Sequence, residues 1–126
     1  MKNDVLKINY NKEIDAVVLE WITAPISSEF REGLTQGLEL LKSTKAKNWI
    51  GDVRNLGAID PDDQKWSNEE WFPKVLASGL KKVGVIISDD IFNQMSIDEI
   101  MSKVESAGFA SQYFDDIDKA AQWMKE

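Results

Sequence analysis

The sequence predicts a single α/β domain over residues 1–126, with a mixed, mostly parallel sheet and the element order β-β-α-β-α-β-α-β-α. Apolar residues alternate with a period of two near the N-terminus, which is typical of paired strands. Farther along, short apolar runs alternate with stretches of helical periodicity, and this favours parallel strands joined by helical crossovers. The length of 126 residues fits one domain.

The first two predicted strands form a hairpin. Leu6, Ile8 and Tyr10 alternate with polar residues, and residues 17–21 continue the alternation after a short polar link at 11–14. Two such runs joined by a short polar segment indicate an antiparallel pair.

An amphipathic helix follows the hairpin. Ser27 or Ser28 is placed to cap its first turn. Gly33 and Gly37 fall on or beside the apolar stripe, where each costs about 1 kcal/mol relative to Ala, so we expect close packing against a neighbouring element. The stripe consists of Ile26, Phe30, Leu34, Leu38 and Leu41.

The middle of the chain contains two mostly apolar runs, 49–53 and 83–87, which predict strands buried on both faces. Between them, Asp60 is a natural cap and Pro61 a natural first residue of a helix. Pro73 is expected to kink or break that helix because it has no N–H to donate.

The last third predicts a helix, an edge strand and a final helix. Ser96 and Glu99 have the spacing of a capping box, and Gly108 is placed to end the helix that follows. Residues 109–114 predict the edge strand, and Asp115 or Asp116 is placed to cap the last helix.

The composition narrows the functional classes. The chain has no His and no Cys, which removes imidazole-based and thiol-based catalysis and ordinary zinc sites. Its net charge of −7 disfavours binding to nucleic acid or to an anionic membrane surface. Apolar runs are far shorter than a membrane span and the N-terminal residues do not resemble a secretory signal. We therefore expect a non-enzymatic, cytoplasmic protein without a cofactor or membrane insertion.

The order of elements resembles the STAS fold of the SpoIIAA-like proteins, the sporulation anti-sigma-factor antagonists, and the grouping of STAS with the CRAL-TRIO lipid-transfer domains. The resemblance extends over nearly the whole chain and implies a regulatory domain of bacterial type. It is carried by residues 29–34, 49–54, 60–66, 70–73 and 95–101.

The resemblance also bears on phosphorylation. In the sporulation antagonists a Ser within an Asp-Ser-Ser-Gly segment is phosphorylated by the anti-sigma kinase. Laid over this chain, Asp60 takes the place of the motif Asp, Pro61 and Asp62 take the two Ser positions, and Asp63 takes the Gly position. The resemblance therefore implies that the phosphoserine switch is absent, and phosphorylation of Ser67 would contradict this expectation.

The candidate binding residues lie after the third strand. Asp52 and Arg54 follow a central parallel strand, where ligands gather in open α/β sheets, although the two could instead pair with each other. Trp66, Trp71 and Phe72 would form an interface or an apolar-ligand lid if exposed, and core if buried; we expect at least one ring to reach the surface.

Acidic doublets at 62–63, 89–90 and 115–116 are predicted to cap helices rather than to bind cations. The segment from Asp60 to Asp63 lacks the Gly and the distal Glu of a calcium loop. A metal held by Asp60 and Asp62 would instead favour a hydrolase.

Two functions remain open. The first is a regulatory domain that binds a protein partner or itself, and a flat exposed aromatic patch would favour it. The alternative is a carrier or sensor of a small apolar ligand or lipid, and a cavity lined by Trp66, Phe72 and Met95 would favour that. The predicted partner- or ligand-binding residues are Asp52, Arg54, Asp60, Asp62, Trp66, Trp71 and Phe72.

Overall fold

The computed structural model describes residues 4–57, 59–87, 98 and 101–126. In this part of the chain, five strands form one sheet in the order β1-β2-β3-β4-β5. The first two strands are antiparallel and every later pairing is parallel, so the predicted mixed α/β sheet with an opening hairpin is confirmed. The strands are β1 Leu6–Asn11, β2 Ala16–Trp21, β3 Asn48–Asp52, β4 Lys82–Ile86 and β5 Ala110–Phe114.

Helices follow the strands in the predicted order. A π-helical turn, called the π turn below, joins two short helices into one interrupted segment. Ser96 and Glu99 of the capping box, the doublet at 89–90 and Met95 lie outside the described residues, so these expectations remain predictions. The helical elements are α1 Ser27–Thr44, α2 Pro61–Trp66, the π turn Ser67–Trp71, α3 Phe72–Leu76, α4 within 101–106 and α5 Ile117–Met124.

The sheet separates two apolar layers because successive side chains of a strand point to opposite faces. One face carries Leu19 and Val85 and packs against α1, the interrupted segment and α4. The other carries Val18, Ile50 and Ile86 and is covered by α5. The larger layer, between the sheet and the three helical segments, is the one that contains the candidate site.

Helix α1 lies very close to the sheet, as its two glycines predict. A Cβ atom on Gly33 would lie 2.6 Å from Leu6 Cδ2 and 2.7 Å from Trp21 Cη2, and one on Gly37 would lie 2.6 Å from Trp49 Cη2. Such distances are well inside van der Waals contact, so only glycine allows the helix this approach.

The first turn of α1 differs from the prediction. The N-cap residue is Ile26, whose backbone N–H donates to Glu29 Oε1 at 3.0 Å, so the expectation that Ser27 or Ser28 caps the helix is wrong. The Ser27 hydroxyl instead donates to the carboxylate of Asp63 at 2.6 Å. Ser27 is itself the first residue of the helix, and its hydroxyl bonds to a residue distant in sequence rather than to the helix N-terminus.

The interruption of the second helical segment begins before Pro73. The Phe72 N–H donates to the Ser67 carbonyl, which closes the wider turn of a π helix, and Pro73 then stands in the first turn of α3. Because Pro has no N–H, the α-helical ladder cannot pass through it unbroken. The predicted interruption is therefore confirmed, and the π turn is the form it takes.

Candidate functional site

An apolar cavity of about 100 Å³ lies between the sheet and the helices of the larger layer. Its walls come from β2, β3, β4, α1, the π turn, α3 and α4. Aromatic rings account for five of the lining side chains, namely Trp21, Phe30, Trp49, Trp71 and Phe72. Phe72 lines the cavity as the carrier hypothesis expects, Trp66 does not, and Met95 lies outside the described residues.

Gly51 forms the floor of this cavity. It lies in the middle of the central strand and pairs with Leu19 on one side and Val85 on the other, and all three line the cavity. A Cβ atom on Gly51 would meet nothing closer than Trp49 Nε1, at 3.5 Å. The position could therefore carry a Cβ atom without a clash, and its lack of one leaves the space open.

The aromatic cluster is part of the interior rather than an exposed patch. Trp71, Phe72 and Trp66 are each half-buried. The Trp71 indole Nε1–H donates to the Leu34 carbonyl at 2.7 Å, and its ring meets the Trp49 ring edge-on at a centroid distance of 5.5 Å. Phe72 meets Phe109 edge-on at 6.2 Å. Trp71 thus holds the interrupted segment against α1, and Trp71 and Phe72 both line the cavity.

A buried carboxylate fastens α2 to the start of α1. Asp63, with only 5% of its side chain exposed, accepts hydrogen bonds from Ser27 Oγ at 2.6 Å and from Arg31 Nε at 2.8 Å. The Arg31 guanidinium also stacks over the Trp66 ring, 5.3 Å from its centroid. Asp63 therefore does not cap α2, and the capping prediction for this residue is wrong: its partners are on the neighbouring helix.

Two predicted caps are confirmed, that of Asp60 and, among the described acids of the doublets, that of Asp116. Asp60 caps α2 by accepting from the Asp62 N–H at 2.9 Å, and Asp116 caps α5 by accepting from the Lys119 N–H at 2.9 Å. Asp115 pairs with the Lys119 ammonium at 2.9 Å, which lowers the pKa of that carboxyl through the hydrogen bond and the charge. Among the described residues, no cluster of three or more His, Cys, Asp or Glu side chains could hold a metal ion.

Asp52 and Arg54 pair with each other at the end of β3, as the structural alternative proposed. Arg54 Nε and Nη2 donate to the two oxygens of the buried carboxylate at 3.0 and 2.7 Å, and the Arg54 backbone N–H donates to it as well. The hydrogen bonds that Arg54 donates to Asp52, with further acidic charge from Glu20 and Asp116, raise the pKa of Arg54. The pair holds the loop after β3 and does not line the apolar cavity.

A second, more polar cleft of about 190 Å³ borders the first. Phe30, Leu56 and Ile59 line both spaces, and Asp60 and Asp63 face the polar one. Of the predicted site residues, the structure therefore brings Trp71 and Phe72 to the apolar cavity and Asp60 to the polar cleft. Asp62 offers Arg31 only its backbone carbonyl, at 3.4 Å.

Sequence reasoning missed Gly51 and two polar residues that line the cavity, Asn68 and Lys103. A glycine between bulky residues in a buried strand is a signal of close approach by a ligand or another chain segment. Whether such a glycine lines a cavity depends on which residues of the neighbouring strands share its face of the sheet, and only the strand register shows that.

Described helices are all too short or too polar to pass through a bilayer. Comparisons with protein-family models, with curated proteins and with solved structures find no match to this chain.

Proposed function

We propose that this protein binds a small apolar molecule in the cavity above Gly51 and acts as its carrier or sensor. The observation that supports the proposal is a cavity lined almost entirely by apolar side chains, whose floor is a glycine that the backbone does not require. Ligand sites in proteins are typically concave and apolar, with few polar groups.

The energetic cost of the cavity supports a functional reason for it. Protein interiors are close-packed, and voids larger than a water molecule are few. At about 24 cal/mol per Å³, a space of about 100 Å³ costs about 2 kcal/mol of stability if it is left unfilled. Because a Cβ atom at Gly51 would meet nothing closer than 3.5 Å, steric crowding does not explain the glycine, and a ligand that occupies the space is a physical reason for it.

We also propose that the domain is of STAS, SpoIIAA-like type and works without the phosphoserine switch. The order of elements, the opening hairpin and the consecutive parallel strands support this assignment. Ser67 supports the second part, because it is buried and its hydroxyl donates to the Gln64 carbonyl at 2.8 Å. A kinase could not reach that hydroxyl without opening the π turn.

A protein-binding role is a second proposal, and one observation favours it. The Arg54 side chain is 40% exposed yet held in one orientation by Asp52, and ordered arginines are common at binding hot spots. Trp71 is unsuitable for testing this role because it packs in the interior. Asp52→Asn combined with Arg54→Gln removes the charge pair without leaving a buried charge, and should abolish self-association or partner capture in native mass spectrometry.

Filling the cavity tests the main proposal. We expect xenon, which enters apolar cavities of this kind, to shift the NMR signals of the lining residues in the wild-type protein. Gly51→Ala should reduce these shifts and Gly51→Leu should abolish them, without loss of stability in urea denaturation. Gly84→Ala serves as the control, because its methyl group would project onto the opposite face, near Met124 and Phe114. Equal xenon shifts in the wild type and in Gly51→Leu would refute the proposal.

A further inference from the structure

The polar groups that border the apolar cavity are all hydrogen-bond donors or can act as donors. Trp49 is 7% exposed, and its Nε1 lies on the cavity floor, 3.5 Å from the place where a Gly51 Cβ would stand. Within the described part of the chain, this N–H has no acceptor. An indole N–H can only donate, so this group is available to an acceptor that enters the cavity.

Two further polar side chains line the cavity, Asn68 and Lys103. Asn68, in the π turn, is half-buried, and Lys103, in α4, is exposed. Neither side chain makes a hydrogen bond or ion pair with the described residues. The remaining polar groups of the lining are occupied, because the Ser67 hydroxyl donates to Gln64 and the Trp71 N–H donates to Leu34.

The charge around the cavity differs from that of the whole protein. Acidic residues outnumber basic ones by 22 to 15 in the chain, yet none of the described residues that line the cavity is acidic and one is a lysine. An anion inside the cavity would therefore meet no carboxylate among these lining residues, and Lys103 would provide an opposite charge.

We propose that the ligand is a small monocarboxylate with an apolar body. This inference rests on the proposed function, since it requires the cavity to hold a ligand at all. The apolar body lies above Gly51 among the aromatic rings, and the carboxylate accepts hydrogen bonds from Trp49 Nε1–H, the Asn68 amide and Lys103. An engineered cavity of about 150 Å³ holds benzene, so a space of about 100 Å³ fits a short or branched aliphatic chain rather than a long acyl chain.

Isovalerate is the probe that tests this inference, and isoamylamine and isovaleramide carry the same apolar chain with a cationic or a neutral head group. We expect NMR titration to show that isovalerate binds the wild type at least tenfold more tightly than isoamylamine, with isovaleramide between them. Lys103→Met should weaken isovalerate binding about tenfold, because a hydrogen bond to a charged group is lost. Lys74→Met is the matched control, an exposed lysine that does not line the cavity.

Trp49→Phe provides a second variant, which keeps an aromatic ring and removes the N–H. It should weaken isovalerate binding while leaving the xenon shifts of the cavity in place. If xenon binds the wild type but isovalerate binds no better than isoamylamine, the carboxylate inference is wrong and the apolar site stands. If neither xenon nor isovalerate perturbs the lining residues, the proposed function itself is wrong.

Discussion

The indole Nε1–H of Trp71 donates to the backbone carbonyl of Leu34 at 2.7 Å, across a separation of 37 residues. This bond joins the end of the π turn to the middle of α1. Asp63 also bonds to Ser27 and Arg31 in the first turns of the same helix. The interrupted segment is therefore fixed at two points along α1, one at Leu34 and one at its first turns. Polar contacts as well as apolar packing therefore position the walls of the apolar cavity.

Removing the Trp71 donor should loosen the attachment of the π turn to α1 at Leu34. Trp71→Phe keeps a ring against Trp49 and removes one hydrogen bond, so we expect the free energy of unfolding to fall by about 1 kcal/mol. Hydrogen exchange supplies an independent measurement: in the wild type, the Trp71 indole proton should exchange much more slowly than that of Trp66, which donates to no acceptor within the described residues. Equal exchange rates would contradict the bond.

Neutralising Asp63 should loosen the attachment of α2 to the first turns of α1. Asp63→Asn keeps the size of the side chain but removes the charge that Ser27 and Arg31 bind, so we expect a loss of about 1–3 kcal/mol in urea denaturation. Asp62→Asn is the matched control, since Asp62 is an exposed neighbour, and should change stability by less than about 0.5 kcal/mol. Similar losses in both variants would show that the buried pair does not hold the helices together.

Adding one methyl group between α1 and the hairpin should be costly. Gly33→Ala would gain about 1 kcal/mol of helix propensity, but its Cβ would collide with Leu6 and Trp21, and overpacking of this kind costs about 1–3 kcal/mol. Trp21 has little room to move because it stacks on Phe30 at 5.9 Å. We expect a net loss of stability in thermal unfolding, whereas Glu39→Ala, at an exposed position of the same helix, should be nearly neutral.

Alkaline pH should destabilise the fold through the tyrosines. Burial and the hydrogen bond to Asp98 raise the pKa of Tyr113 above its ordinary value of 10.0, and the bond to Asp15 raises that of Tyr10. Because the folded state favours the protonated phenol, its contribution is complete below pH 10 and is lost as the pH rises through the raised values.

The measurement for this prediction is the free energy of unfolding across the alkaline range, with tyrosinate absorbance recorded in parallel. The chain has two tyrosines, so Tyr113→Phe should remove the later ionisation step and reduce the decline in stability. An ionisation midpoint at or below pH 10 for both residues would contradict the prediction.

Local patterns were sufficient to predict the elements of the fold. The two-residue alternation of β1 and β2, the Asp60–Pro61 start of α2 and the glycines of α1 each act through neighbours in sequence or through one repeated face. The resulting predictions hold to within one or two residues. Pro73 likewise predicts an interruption, although the π turn that forms upstream of it depends on how the segment packs.

The site was harder to predict because its contacts join residues that are distant in sequence. Asp63 resembles an ordinary helix-start acid until Ser27 and Arg31, 36 and 32 residues away, are placed beside it. Trp71 resembles an exposed binding residue until its donor finds the Leu34 carbonyl. Gly51 lines a cavity only because the register sets it between Leu19 and Val85. That register cannot be predicted from residues that are neighbours in sequence.

Each of the described strands from β1 to β4 hydrogen-bonds to the next described strand in the chain. Each new pairing therefore closes a loop of moderate length, and no described strand pairs with a strand at the far end of the chain. Loop-closure entropy rises with length, and folding rates fall as contacts become more distant in sequence. We expect the hairpin to form first on an emerging nascent chain, with each later strand adding at the growing edge, so that assembly can keep pace with translation.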